Sequence, residues 1–128
     1  MYLCIDLSQK DVLSLAFFTE ETVEYKKYNK KNRELLLCIK DALQDMGLEK
    51  DALLGIMVVV GSGSFTNTRI AVTVANAWGY ANQVPLLAID VLDVDDLQNR
   101  IVELLAQPVG QYISATYSGE PNIGAPKK

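Results

Sequence analysis

Residues 58–72 read "VVVGSGSFTNTRIAV", from Val58 to Val72. The first residues are apolar without alternation, as in a strand covered on both faces. A Gly-Ser run follows, and from Asn67 onward the apolar residues recur at helical spacing. A buried strand, a tight loop and a helix form one strand–helix unit. That unit predicts an α/β chain with a parallel stretch of sheet. A helix N-terminus carries unpaired N–H groups and partial positive charge, so Gly61 and Gly63 ahead of one make an anion cradle. Arg69, one turn in, adds a charge-assisted donor. Two phosphate motifs are excluded by spacing. GxxxxGK[ST] lacks its lysine here, and GxGxxG meets Thr66 at its third glycine. The plainer reading is that Ser64 or Thr66 caps the helix and the glycines only turn the chain.

The helix Asn67–Asn82 carries two apolar faces. Ala71, Ala75 and Gly79 make a strip of small residues, and Ile70, Val74, Ala77 and Trp78 make a bulkier one beside it. Two faces require two packing partners: the sheet, and either the first helix or a second molecule.

Working outward, "YLCIDL" (2–7), "VLSLAFF" (12–18) and "TVEYKKY" (22–28) read as a meander of strands split by polar turns. The first is apolar on both faces and belongs at the centre. The third carries lysines, as an edge strand should. "NRELLLCIKDALQDMGLEKD" (32–51) is a helix with Leu35, Ile39, Leu43 and Met46 inward, Leu36 beside them and Leu37 off the stripe. Asn32 is its expected N-cap and Gly47 its terminating glycine. "QVPLLAID" (83–90) is a further buried strand. Asp93 is the expected N-cap of a third helix, with Leu97, Ile101, Leu104 and Leu105 inward. The order is β-β-β-α-β-α-β-α, a mixed sheet covered by helices, in a domain over residues 1–107. Residues 108–128 form a Gly- and Pro-rich tail in which "YISATY" (112–117) could add a strand.

Bulk properties narrow the chemistry. The chain has 128 residues, a net charge of −4 and no histidine, and its pI is near 4.7. The acidity argues against direct nucleic-acid binding. Without histidine there is no Ser-His-Asp or Cys-His nucleophile system. Zinc would be left with poor ligands. Asp90, Asp93, Asp95 and Asp96 read as cap and dipole partners rather than as a cation site. The two cysteines, Cys4 and Cys38, are expected as buried thiols. The N-terminus lacks a basic leader, and no apolar run reaches the ~20 residues of a membrane span. A cytoplasmic protein is expected.

The motifs carry a resemblance. "GSGSFTNTRIA" (61–71) resembles the GPGSFTGxRxG signature of the TsaB (YeaZ) family, and "CIDLS" (4–8) resembles its "AIDTS". "NRELLLCIKDALQDMGLEKDAL" (32–53) and "VPLLAIDVLD" (84–93) are similar to its first helix and to the strand after its second. Ser62 stands where that signature has proline. Asn67 and Ala71 stand where it has glycines, and Leu7 replaces its threonine. The resemblance implies a single lobe of the actin-like, sugar-kinase-like (ribonuclease H-like) superfamily. It also implies a non-catalytic subunit that supports threonylcarbamoyladenosine synthesis in tRNA. Such a subunit pairs with a TsaD-like catalytic protein, in a complex involving a TsaE-like ATPase. In that family the first two helices form the subunit contact, which here implicates Leu36, Ile39, Leu43, Ala71, Ala75 and Trp78. Alone, the same surface would favour a homodimer. Asp6, Ser8, Gly61, Gly63, Ser64, Thr66 and Arg69 would be a vestigial phosphate loop, with no cofactor or metal. With one lobe there is no closed cleft to exclude water around a nucleotide. Three readings follow: a partner subunit; a nucleotide-binding or phosphotransfer protein completed by a second molecule; and an acidic interaction module unrelated to tRNA.

Overall fold

A computed structural model describes residues 1–9, 11–29, 34–61 and 65–113. Strand β1 (Tyr2–Asp6) lies at the centre of a five-stranded sheet ordered β3-β2-β1-β4-β5. Strands β2 (Leu13–Phe18) and β3 (Val23–Tyr28) follow it as an antiparallel meander, and β4 (Ile56–Val59) and β5 (Leu86–Ile89) run parallel to it. The expected central β1 and edge β3 are both found.

The register sorts the apolar residues onto two faces. Leu3 lies opposite Phe17 and Ile56, and Ile5 opposite Leu15 and Val58. These residues share one core with helices α1 (Leu35–Asp45) and α2 (Phe65–Asn82). Cys4 lies between Ala16 and Met57 and belongs to the other core with Tyr2, Phe18, Val59, Leu87 and Ile89. That second core is closed by Leu97 from a 3₁₀ segment (Val91–Arg100), and by Ile101 and Leu104 from the short helix α3 (Ile101–Leu105). Both faces are covered, which is why β1 and β4 lack a polar alternation. Cys4 and Cys38 are buried on opposite faces of the sheet, so no bridge joins them.

Helix α1 ends as the sequence predicts. Gly47 has φ +70, its N–H bonds the Gln44 carbonyl at 3.0 Å, and the Leu48 N–H bonds the Leu43 carbonyl at 2.9 Å. This double closure satisfies the last carbonyls and needs the left-handed backbone that glycine supplies. The expected cap Asn32 lies outside the described residues. Glu34 occupies the cap position and makes no side-chain cap bond.

The third helix departs from expectation. The cap is Asp90 rather than Asp93: the Leu92 N–H donates to the Asp90 carboxylate at 3.0 Å, and the Asp90 N–H donates to Asp93 at 3.2 Å. Starting three residues early, the segment winds as 3₁₀ to Arg100 and bends at Asp96 before α3 begins. Arg100 then ties the two parts, bonding Asp93 at 2.7 Å and Glu103 at 2.8 Å. Burial opposes the Arg100 charge, but these two carboxylates outweigh it and hold the guanidinium above its ordinary pKa. The bend also turns Leu105 outward, to 51% exposure, whereas Leu97, Ile101 and Leu104 are buried as expected.

Beyond α3 the chain returns to the α2 side. The Asn76 amide accepts from the Ile113 N–H at 2.9 Å and donates to its carbonyl at 3.1 Å, and Ile113 packs on the first core. The rest of the expected "YISATY" strand, residues 114–117, lies outside the described residues.

Candidate functional site

The carboxyl ends of β1, β4 and β5 share one edge of the sheet, where ligands collect in open α/β folds. Asp6, Gly61 and Asp90 stand there. Thr66 and Arg69 lie, exposed, in the first turns of α2. Gly61 has φ +85, so the turn after β4 needs its glycine. Gly63 and Ser64 lie outside the described residues. The Asp6 carboxylate accepts from the Ser8 N–H at 2.9 Å and closes the turn after β1. Asp6 and Ser8 line a hollow of about 520 Å³ with Ser14, Tyr25, Lys27 and Asp95, on the α3 side of the sheet. Among the described residues no group of three or more His, Cys, Asp or Glu could hold a metal ion. No described helix is long and apolar enough to cross a membrane.

The larger depression lies between α1 and α2, a groove of about 900 Å³. Its α1 wall is Leu36, Lys40, Leu43 and Gln44. The turn at Gly47–Lys50 closes one end, and its α2 wall is Thr73, Val74, Ala77, Trp78, Ala81 and Asn82. Leu43 and Trp78 are nearly buried, whereas Leu36 is 41% and Leu37 is 61% exposed. The middle is therefore apolar, while Lys40, Gln44, Lys50 and Asn82 add polar groups along the walls.

The structure divides the six residues expected at the contact. Leu36, Leu43 and Trp78 line the groove. Ile39, Ala71 and Ala75 do not reach the surface: each is fully buried in the core against the sheet. Ile39 is on the inward stripe of α1, and for Ala71 and Ala75 the reason is the small-residue strip. A Cβ on Gly79 would come within 3.0 Å of Leu86, so the strip is what lets α2 lie close on β5. Small residues mark the face that packs inward, and the bulkier strip is the one left beside α1. Val74, Ala77, Trp78 and Ala81 recur at i, i+3, i+4 and i+7. That spacing was visible in the sequence and is the signal that picks out the groove wall.

Comparison with known proteins places this lobe. The family described as TsaD, tRNA N6-adenosine threonylcarbamoyltransferase, matches residues 26–118. The tRNA threonylcarbamoyladenosine biosynthesis protein TsaB of Bacillus subtilis is 32% identical over 111 residues, covering 84% of this chain and 48% of that protein. The tRNA N6-adenosine threonylcarbamoyltransferase of Streptococcus agalactiae is 29% identical over 92 residues, covering 66% of this chain and 27% of that one. Among solved structures, YeaZ from Pseudomonas aeruginosa superposes with a TM-score of 0.64 at 26% identity, over 80% of this chain and 50% of its own. A Pseudomonas aeruginosa protein described as similar to peptidase YeaZ gives a TM-score of 0.65 at 26% identity, over 79% and 49%. The chain thus spans about half the length of its TsaB and YeaZ relatives. With the loop motif, the five-stranded mixed sheet and these matches in agreement, the chain belongs to the TsaD family and is a TsaB (YeaZ)-like member of it.

Proposed function

We propose that this chain is a non-catalytic, cytoplasmic TsaB-like subunit that supports threonylcarbamoyladenosine modification of tRNA by docking on a TsaD-type catalytic protein. The observation that carries the reading is the groove between α1 and α2, apolar in the middle and flanked by exposed Leu36 and Leu37. The match to a transferase over 92 residues means that the partner class has a related lobe. Two related lobes can pair through equivalent faces, each offering its α1 ridge to the other's groove, as in a two-fold contact between unlike chains. Two copies of this chain would pair the same way when the partner is absent. A TsaE-like ATPase would join the assembly through the partner.

The role is to hold and orient rather than to react. The chain has no histidine, and the Asp6 carboxylate is engaged in a turn. Leu37→Glu and Ala77→Glu place a charge on the ridge and on the groove wall, where burial in a contact would leave it unpaired. Each is expected to weaken the complex with the TsaD-type protein of the same organism at least tenfold by titration calorimetry, with thermal unfolding of the free chain unchanged. Unimpaired binding by both variants would overturn the reading. Submillimolar binding of Mg-ATP to the chain alone would favour the phosphotransfer alternative built on the loop at residues 61–69.

A further inference from the structure

The groove between α1 and α2 is apolar along its middle, yet its rim carries more cation than anion. Lys40 on α1 and Lys50 in the turn beyond it line the groove against one acid, Glu49. All three are exposed, and neither lysine makes an ion pair among the described residues. The chain as a whole has a net charge of −4, so the excess of lysine is local to this face. Leu36, Lys40 and Gln44 recur every four residues and form one row along the α1 wall. Lys40 therefore stands in the middle of the ridge that docking would cover. Asp41 and Asp45, also on α1, are exposed and lie off this lining. An ammonium group taken out of water by an apolar contact costs stability unless an opposite charge meets it.

We infer that Lys40 is a specificity-determining residue of this groove: it selects a TsaD-type partner whose docked ridge carries a carboxylate at the matching place, and it disfavours a second copy of this chain. This rests on the docking reading above. A copy cannot supply the missing charge. The ridge it offers is the same row of Leu36, Lys40 and Gln44, and in its groove Glu49 is outnumbered by Lys40 and Lys50. Two such linings set face to face double the excess of cation. An acidic partner gains where the copy loses, while the apolar middle of the groove serves both alike. Partner choice then follows from the repulsion against the copy as well as from the attraction to the partner.

The test uses the full chain, Lys40→Gln and Lys40→Arg variants, and the TsaD-type protein of the same organism. Lys40 is exposed, so both substitutions leave the cores alone. Glutamine matches the neighbouring Gln44 and removes the charge, and arginine keeps it. Lys40→Gln should weaken the complex about 3- to 30-fold in titration calorimetry and make it less sensitive to salt, whereas Lys40→Arg should bind within about twofold of the parent. In sedimentation equilibrium of the free chain, Lys40→Gln should associate with itself more tightly than the parent does. Overall charge cannot produce that gain, because the substitution makes the chain more acidic. A Lys40→Gln variant that binds the partner as tightly as the parent, or that self-associates no more tightly, overturns the inference and leaves docking in place. Failure of the parent to form a complex overturns both.

Discussion

Cys4 stands at the middle of the central strand, fully buried on the α3 side of the sheet. Burial, and then the nearby charge of Asp6, push its thiol far above the ordinary 9.0. Below pH 9 the thiol is protonated in both folded and unfolded chains, and its contribution to stability is complete. As pH rises past 9 the unfolded thiol ionises and the folded one does not, so stability falls by up to about 1.4 kcal/mol per pH unit. Tyr2, raised by burial and by Glu20, adds to the loss above pH 10. Urea midpoints measured from pH 8 to pH 11 should decline, and Cys4→Ala should flatten the decline. Single residues are also where sequence reading went furthest astray. Ile39 sits on the inward stripe of α1 and reaches the expected contact only through the family resemblance, whereas Ala71 and Ala75 looked like surface because a second apolar strip needed an owner. The close approach of α2 to β5 that assigns these alanines inward shows in the contact of Gly79 with Leu86, which helical spacing alone does not reveal.

At the scale of elements, the two helices beside the groove end in the same way with different residues. Gly47 terminates α1 at φ +70, and Gln83 terminates α2 at φ +57 with the Val84 N–H on the Gly79 carbonyl at 3.2 Å. Left-handed backbone suits glycine and strains a residue with a Cβ. Gly47→Ala should cost about 1 kcal/mol in urea unfolding, and Gln83→Gly should return about 0.5–1 kcal/mol. Elements were largely legible in the sequence. Apolar runs marked β1, β4 and β5, helical spacing marked α1 and α2, and lysines marked the β3 edge. The third helix was not, because Asp90 and Asp93 are both good caps and local pattern cannot rank them. The pairing of Arg100 with Asp93 and Glu103 accompanies the earlier start, and it joins residues seven and three apart across a bend.

Over the whole molecule, one sheet serves two cores, so neither helical layer can loosen without exposing strands that the other also needs. Unfolding should be a single cooperative transition. Trp78 fluorescence reports the α1–α2 layer, far-ultraviolet circular dichroism reports the whole, and the two curves should coincide in urea. Separate midpoints would show the α3 layer unfolding by itself. The lobe and its family were readable from 61–71 and the flanking strands. The groove was not, since its two walls come from residues 36–50 and 73–82, and only the fold sets them side by side.

The Asn76–Ile113 pairing has a mechanical side. It moors the chain to α2 after α3 has closed the opposite face. A pull applied at residue 113 is therefore borne by two short hydrogen bonds to α2 and by the seat of Ile113 on the first core, while the core on the α3 side is not loaded directly. The same two bonds fix the angle at which the chain leaves the helix that walls the groove.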